Sequence, residues 1–536
     1  MKISFKYISY FLLLVLGLSM TLTSCTDDLN VTPTDDDEFL SEAFFKDPES
    51  YKQVLAKLYA GLYVGGNDGD ALPDISGLGG DFSSYLRLLF VTQEFPTDEA
   101  IVAWNDDGLP ALNGQTWSPS NQFLYGIFSR AFYEISVANE FLRQTTDEKL
   151  NERGVDANLK AEIATFRAEA RFLRAFSYYN LMDLFGNVPI TTEADPVGLF
   201  YPVQKSRAEV FAFIESELKD MDSGLAASKT NEYGRVDKTA AKFLLAQIYL
   251  NAKVYIGTEK FNEAAVLCNE IITTSGYTFA DVPYRYLFSA DNNRNGAQSE
   301  FIFPVVSDGI AIRATGGGMS FILHASIGGK MNAGDQGMNG GWSGIRTRPE
   351  FVKLFPDETA TGDKRGTFFT DGQTLDIANY GVFSNGYAVR KYTNLNSDGS
   401  AAQKTDIPDT DFPMFRLSDV YLMYAEATVR GAASGNLATA TGYINKIRTR
   451  AGAATITSSD LNLNFILDER GRELFWECHR RTDLIRFGKF TGGSKIWQWK
   501  GGVKNGSGTD SYRDLMPIPS RTIQANPTLK QNTGYN

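Results

Sequence analysis

Two tryptophans stand in polar, glycine-rich stretches of the chain, away from the periodic apolar segments that build a core. Trp104 precedes an Asn-Asp-Asp run, and Trp342 follows a Met-Asn-Gly-Gly run that includes Asn339. Aromatic faces combined with amide, carboxylate and guanidinium groups are what a shallow, preformed site uses to hold a sugar ring. These residue types therefore predict a glycan-binding site with Trp342 and Trp104 as platforms and Asn339 as a polar partner.

The other four tryptophans are interpreted as structural. Trp117 lies just before a predicted helix and is expected to pack beneath a loop. Trp476, Trp497 and Trp499 lie in the region of the chain that is expected to form scaffold. None of the four is predicted to contact a ligand.

Residues that could act as nucleophile, general base or metal ligand form no recognisable pattern. The chain has two histidines, His324 and His479, and no Gly-x-Ser-x-Gly nucleophile motif. A zinc site would need almost only carboxylates, which is uncommon, and residues 291–293 make a poor calcium loop. The glycines at 316–318 lack the Lys-Ser/Thr of a phosphate loop, and His479 is interpreted as part of a helix surface. We therefore predict no metal, no cofactor and no enzymatic activity.

The N-terminus has the order of a secretory signal. Lys2 and Lys6 precede an apolar run at residues 10–18 that is too short to span a membrane, and a Leu-Thr-Ser-Cys sequence ends at Cys25. This ending resembles the lipobox of bacterial lipoproteins, which implies cleavage of a signal peptide (residues 1–24) and acylation of Cys25. The chain would then be attached to a membrane by lipid rather than by a spanning helix. The alternative is an ordinary signal peptide with a chance cysteine near its end.

The composition is that of a globular protein with an acidic balance. Hydrophobic residues make up 43% of the chain and charged residues 22%, with a formal net charge of −12. Loss of the two signal lysines brings the charge from −12 to −14, which argues against a nucleic-acid partner, because nucleic-acid binding needs a basic surface. Cys268 and Cys478 remain after lipidation, and we interpret them as buried free thiols rather than as a disulfide.

The spacing of apolar residues divides the mature chain into helical and loop-rich parts. A polar tether is predicted at residues 25–40 and a single domain at 41–536. Recurrence of apolar side chains every three or four residues predicts a helical scaffold at about 120–280 and 413–490. Two helix pairs there lie close to the tetratricopeptide period of about 34 residues, although generic helical hairpins would have the same spacing.

Gly, Asn, Asp and Ser are concentrated in two other parts of the domain. Residues at about 64–120 and 280–412 are predicted to form irregular loops with a few short strands. Loops of this length inside a compact chain usually carry function. Trp104 and Trp342 lie one in each of these predicted ligand loops.

A series of short motifs follows in order along the mature chain. They lie at residues 167–175 with 183–189, 234–238, 415–422 with 425–427, 444–448, 469–474, 480–488, and 517–519 with 531–535. Together they resemble the RagB/SusD family of outer-membrane lipoproteins of Bacteroidetes. The resemblance covers essentially the whole mature chain. It implies a mainly α fold, in which four tetratricopeptide-like helix pairs form a scaffold and irregular loops on one side carry a glycan site.

The same resemblance implies binding at the cell surface without catalysis. A member of this family captures oligosaccharide or polysaccharide and delivers it to a SusC-like TonB-dependent transporter of the outer membrane. The acidic pair directly after Cys25 also resembles the surface-export signal of such lipoproteins. The implied ligand is a glucan, either an α-glucan such as starch or glycogen, or a β-glucan such as laminarin.

The starch-binding members of the family suggest further ligand residues. In them an arc of three aromatic residues follows the curve of an α-glucan. Trp342 falls on one arc position, whereas Val102 and Thr315 occupy the other two, and Trp104 could substitute if the segment is extended. The polar ligand positions correspond to Arg87 and Asp107. The departures from the arc favour a neutral glycan without specifying starch.

The charged residues of the C-terminal motifs are interpreted as scaffold rather than as catalytic groups. Arginines alternate there with carboxylates and predict an ion-pair network at helix ends, formed by Arg472, Arg480, Arg481 and Arg486 with Glu469, Glu473 and Asp483.

Two alternatives to glycan capture stay open on sequence alone. One is capture of peptides for import, as in the RagB branch of the family, which would need fewer aromatic platforms and more main-chain hydrogen-bond partners. The other is a glycoside hydrolase, which would need two carboxylates about 5–10 Å apart. Acidic residues are plentiful, but no pair stands out.

Overall fold

The computed structural model describes four ranges of the chain, residues 41–67, 72–198, 200–359 and 361–535. The chain divides into a short N-terminal unit, residues 1–50, and one large compact unit, residues 51–536. The predicted signal peptide, Cys25 and the predicted tether lie outside the described residues. Across the described ranges, no helix combines the length and the apolar character needed to cross a membrane.

Helices dominate the large unit, which confirms the predicted mainly α fold. In chain order the helices are α1 (Ser41–Phe44), α2 (Ser50–Gly61), α3 (Tyr85–Glu94), α4 (Leu109–Asn113), α5 (Gln122–Gln144), α6 (Asp147–Glu152), α7 (Ala157–Phe185), α8 (Arg207–Asp220), α9 (Lys238–Leu250), α10 (Ala252–Ile256), α11 (Phe261–Thr274), α12 (Gly318–Ser326), α13 (Pro349–Val352), α14 (Leu417–Val429), α15 (Leu437–Arg450), α16 (Leu463–Leu474), α17 (Arg480–Arg486) and α18 (Ser520–Ala525). Single 3₁₀ turns lie at Gly80–Phe82, Met221–Ser223, Tyr284–Phe288, Ala297–Ser299, Ala333–Gln336, Lys500–Gly502 and Ser511–Asp514.

The strands are short and pair in separate two-stranded antiparallel sheets. They are β1 (Ile101–Val102), β2 (Val188–Pro189), β3 (Gln204–Lys205), β4 (Phe301–Val305), β5 (Ile345–Arg346), β6 (Phe368–Phe369), β7 (Ala388–Val389) and β8 (Phe412–Arg416). The pairs are β1 with β5, β2 with β3, β4 with β8, and β6 with β7. In β4–β8, Phe301 lies opposite Arg416 and Val305 lies opposite Phe412, with a shift of register between them.

Side-chain caps fix where the long scaffold helices begin. The Asn121 side chain accepts from two backbone N–H groups at the start of α5, and Asp156 does the same at the start of α7. Helix α7 ends at Gly186, whose φ of 72° requires a residue without a Cβ, and Pro189 then follows in a strand.

The scaffold helices pack in a continuous series. Helix α5 packs on α7, α7 on α8, α9 on α11, α11 on α14, and α14 on α15. The buried alanines Ala240, Ala264 and Ala425 allow the close approach of these helices. This is the stacking of helix pairs that the apolar spacing predicted.

The predicted ion-pair network is present only in part: Arg472 pairs with Glu469 and Arg486 with Asp483, whereas Arg480 pairs with Asp98 and Arg481 with Asp183. The predicted Glu473 belongs to a buried network that the sequence did not indicate. Arg416 lies at its centre, 2.7 Å from Glu473, 2.6 Å from Glu477 and 3.2 Å from Glu300. Burial alone would raise the pKa of the Glu473 carboxyl, but the guanidinium groups of Arg416 and its neighbours outweigh burial and hold that pKa at about 2. Buried charges are tolerated only when they are paired in this way, so these carboxylates are part of the scaffold, and removal of one partner would be costly.

The structure corrects the prediction of loops at 64–120. This range contains helix α3, in which every residue is buried. The helix was missed because it is short and lies between stretches rich in Gly and Asp, so that the range as a whole resembled a loop in composition. Helix α12 likewise interrupts the loops predicted at 280–412.

The interpretation of His479 as helix surface is also wrong. His479 is buried and lies just before α17. Cys478 precedes it in a turn with a φ of 66° and is only partly buried, whereas Cys268 is fully buried. Both thiols are free, as predicted, but the second lies in a turn rather than in a helix.

Candidate functional site

The end of helix α12 holds the loop that carries Trp342. The last carbonyls of a helix have no partner within the helix. Here the Trp342 N–H donates to the His324 carbonyl at 2.7 Å, and the Gly344 N–H donates to the Ala325 carbonyl at 2.9 Å. Backbone hydrogen bonds therefore fix this loop to the helix end and place Trp342 beside α12.

The pairing of β1 with β5 brings Trp104 to the same place. The Ala103 N–H donates to the Gly344 carbonyl at 2.9 Å, which continues the strand pairing by one residue. The Trp104 indole N–H then donates to the Trp342 carbonyl at 3.1 Å. The two tryptophans, 238 residues apart in the sequence, are thus tied together directly.

The two indole rings form adjoining platforms. Their centroids lie 6.3 Å apart and their planes are inclined at 49°. Trp342 keeps 38% of its surface exposed, and Trp104 is half-buried. A Cβ at Gly344 would lie 2.5 Å from a Trp104 ring carbon, so this glycine allows the close packing.

Both indoles line an open cavity of about 380 Å³. The rest of the lining comes from Asp81, Phe82, Arg87, Asp106, Thr315 and Gly316. Carboxylates accept hydrogen bonds, a hydroxyl both donates and accepts, and a ring face packs on C–H groups. The cavity therefore offers the groups that a neutral sugar needs.

Arg87 forms part of the lining but is already engaged by the protein. Its guanidinium carbon lies 4.2 Å from the Phe82 ring centre and 4.3 Å from that of Phe321. One Nη donates to the Asp81 carbonyl at 2.9 Å and to the Gly316 carbonyl at 2.7 Å. Arg87 thus joins two walls of the cavity, a more structural role than that of the predicted ligand residue.

The other positions considered in the sequence analysis differ in where they lie relative to the cavity. Thr315 lines the cavity, whereas Val102 is fully buried in β1 and does not. Asp107 is exposed outside the lining, where its backbone carbonyl accepts from Gln122, and the neighbouring Asp106 lines the cavity instead. Asn339 is exposed beside Trp342 and is not part of the lining.

Sequence reasoning missed four residues of the lining, Asp81, Phe82, Asp106 and Gly316. Asp106 was within its reach, since it adjoins Asp107 in the same acidic run. Asp81 and Phe82 gave no local signal in the sequence. They contact Arg87, and Arg87 in turn bonds to Gly316, which lies 229 residues further along the chain and forms the facing wall of the cavity.

The remaining tryptophans are structural, as predicted. Trp117 is buried and donates to the Tyr535 hydroxyl at 2.7 Å, which anchors the C-terminus. Trp476 and Trp497 are buried. Trp499 is partly buried and donates to the Ile377 carbonyl at 2.9 Å. Among the tryptophans, only Trp104 and Trp342 line the cavity.

A larger cavity, of about 620 Å³, lies elsewhere and fits a sugar less well. Its ring faces are covered by the protein's own arginines. The Arg390 guanidinium lies 5.6 Å from the Phe369 ring centre, and that of Arg285 lies 5.1 Å from that of Tyr286. A sugar would have to displace these contacts, so the smaller cavity is the better candidate.

The best acid–base candidates are sealed inside the fold. Burial raises the pKa of Glu94 to about 7 and raises that of Glu99 well above its usual value. Glu94 accepts from the Cys478 N–H at 2.7 Å and Glu99 from the Trp476 N–H at 3.0 Å, so both hold a turn of the scaffold. Within the described part of the chain, no group of three or more His, Cys, Asp or Glu could hold a metal ion.

Comparison with known proteins agrees with this architecture. The SusD family model matches residues 360–535, and a second, described as starch-binding and associating with the outer membrane, matches residues 91–250. The starch-binding protein SusD of Bacteroides thetaiotaomicron is 33% identical over 97% of this chain and 98% of its own length. The chain belongs to the SusD family. SusD-like protein P25 of Formosa agariphila is 26% identical over 72% of this chain and 76% of its own.

Solved structures of the SusD family share the fold. A laminarin-binding SusD-like protein superposes with a TM-score of 0.67 at 22% identity, covering 90% of this chain and 99% of its own. Surface glycan-binding protein A of Bacteroides thetaiotaomicron, in complex with laminarihexaose, gives 0.65 at 20% identity, with the same coverage. At these identities the similarity establishes the fold alone.

Proposed function

We propose that this SusD-family protein captures a glucan in the open cavity lined by Trp104 and Trp342. The observation that carries the proposal is the pair of adjoining indoles, 6.3 Å apart, that line one open cavity together with polar side chains. Aromatic platforms with a few fixed polar groups are the usual means of binding a neutral sugar.

The geometry favours a curved chain over a flat one. Two platforms inclined at 49° can contact successive sugar rings only if the glycan bends between them. An α-glucan has such a bend, and the 33% identical relative is a starch-binding protein. We therefore place starch-type α-glucan first and laminarin-type β-glucan second. The aromatic lining does not favour the peptide-capture alternative.

We also propose where in the cell the protein acts and to what it passes its ligand. The family description includes association with the outer membrane. We infer that a lipid on Cys25 anchors the mature chain to that membrane and that the captured glycan passes to a SusC-like TonB-dependent transporter. We infer that the protein binds without cleaving: Asp81 and Asp106 line the cavity, but the carboxyls whose pKa is raised towards neutrality, Glu94 and Glu99, are buried in the scaffold.

Calorimetry of the chain lacking residues 1–25 tests the proposal. Titration with maltoheptaose, laminarihexaose, levan and mannan oligosaccharides should show binding of a glucan. Incubation with the bound glucan should release no reducing ends. Absence of binding to every glucan, or turnover of one, would refute the proposed function.

A further inference from the structure

We propose that His324 is a positioning residue of the glycan site, whose imidazole sets the orientation of Trp342. The proposal rests on the glycan-binding function proposed above. No sequence motif marks this histidine, and its part in the site follows only from the packing of α12 against the 332–342 loop.

The imidazole lies flat beneath the Trp342 indole. The two ring centroids are 4.6 Å apart and the planes are inclined at only 12°. His324 is 5% exposed, while Trp342 is 38% exposed. The imidazole therefore covers one face of the indole and leaves the other for a ligand.

A hydrogen bond within helix α12 holds the imidazole itself in place. Its Nδ1 donates to the Ser320 carbonyl of the same helix at 2.9 Å. Its Nε2 lies 3.4 Å from the Asn339 side-chain oxygen. The buried imidazole of His324 thus contacts both the exposed amide of Asn339 and the exposed indole of Trp342. These are the polar and the aromatic side chain that the sequence predicted for the site in this loop.

The backbone of the loop does not depend on this side chain. The Trp342 N–H bonds to the His324 carbonyl, and the Ser343 N–H bonds to the Ile327 carbonyl at 2.9 Å. Neither bond involves the imidazole. Removal of the imidazole should therefore keep the fold and the loop path, while the indole gains rotational freedom that the ligand must then restrict.

Substitutions at His324 separate its two contacts. His324→Phe keeps a flat ring under Trp342 but loses the polar contact with Asn339. His324→Gln keeps a polar group but has no ring, and His324→Ala has neither. For the full-length chain in detergent, with maltoheptaose and laminarihexaose as probes, we expect about tenfold weaker binding for the Ala variant. The Phe variant should recover most of the loss, and unfolding midpoints should stay close to that of wild type.

A double-variant comparison shows whether His324 acts through Trp342. If it does, His324→Ala combined with Trp342→Ala binds no more weakly than Trp342→Ala alone. Near-UV circular dichroism gives a readout without ligand, since the signal of the adjoining Trp104–Trp342 pair should be lost in the Ala variant and kept in the Phe variant.

The outcomes distinguish this proposal from the proposed function. If wild type and His324→Ala bind a probe equally while Trp342→Ala does not bind, the role of His324 is wrong and the glycan site stands. Additive losses in the double variant would also overturn it. If wild type binds neither probe, both proposals fail.

Discussion

Trp342 exposes a large apolar ring that the fold does not bury. Burial of apolar surface is worth about 25 cal/mol per Å², so an indole left 38% exposed forgoes stability that packing would provide. The loop backbone is fixed by hydrogen bonds to the end of α12, and the ring is held from below by His324. At the residue scale, it is the combination of this exposed face with the adjoining Trp104 in one open cavity that points to a ligand.

The glycine at 344 gives a prediction for the second platform. A methyl group there would lie 2.5 Å from a Trp104 ring carbon, so Gly344→Ala must displace the indole. We expect glucan binding to weaken about three- to tenfold, with little change in stability because the displaced ring is half-buried. Gly340→Ala is the matched control, since its methyl group would meet no atom within 4 Å. Equal binding by both variants would show that Trp104 is not a platform.

At the scale of elements, the sequence predicts some parts of the molecule better than others. Helices α7 and α9 and the motif-bearing helices at the C-terminus were readable because their apolar residues recur at helical spacing or because they carry family motifs. Helix α3 was not readable, since it is short and lies between two stretches rich in Gly and Asp. The site was half predicted: its tryptophans stood out by composition, whereas Asp81, Phe82 and the support from His324 arise only from long-range packing.

The buried network around Arg416 predicts a large loss of stability. Arg416→Met leaves the carboxylates of Glu300, Glu473 and Glu477 in the interior without this partner. Loss of one partner from a buried network costs about 3–5 kcal/mol of unfolding free energy. Arg313→Met, which breaks an exposed pair with Asp406, should cost less than about 1 kcal/mol. Denaturation in urea measures both, and similar losses would contradict the structural role of the network.

Glu94, which joins α3 to the turn before α17, predicts that the stability of the fold depends on pH. Because burial raises the pKa of Glu94 from about 4.5 to about 7, the folded state keeps a proton that the unfolded state has released between these pH values. The contribution of Glu94 to stability is therefore greatest below about pH 4.5 and falls as the pH rises to 7.

Glutamine cannot ionise, so Glu94→Gln removes this fall in stability with rising pH. The unfolding free energy of the variant, relative to wild type, should rise by on the order of 2 kcal/mol between pH 5 and pH 8. Urea denaturation at the two pH values measures the change. A difference that is the same at both would show that Glu94 does not take up a proton on folding.

At the scale of the whole molecule, an acidic body of one compact unit follows a short N-terminal segment that carries Cys25. If Cys25 is acylated, the full chain should fractionate with membranes in the producing cell, and Cys25→Ser should be released to the soluble fraction. Immunoblotting of the two fractions measures this. A Cys25→Ser chain that stays with the membranes would rule out the lipid as the anchor.

Binding of the glycan by the two indoles is tested most directly by titration calorimetry with maltoheptaose and laminarihexaose. Trp342→Ala and Trp104→Ala should each weaken binding at least about tenfold, or about 1.4 kcal/mol. Tyr201→Ala, which removes an aromatic side chain that is 50% exposed outside the cavity, should bind as wild type does. If Trp342→Ala binds the preferred glucan with the same affinity as wild type, the indoles are not its platforms and the glycan site lies elsewhere on the molecule.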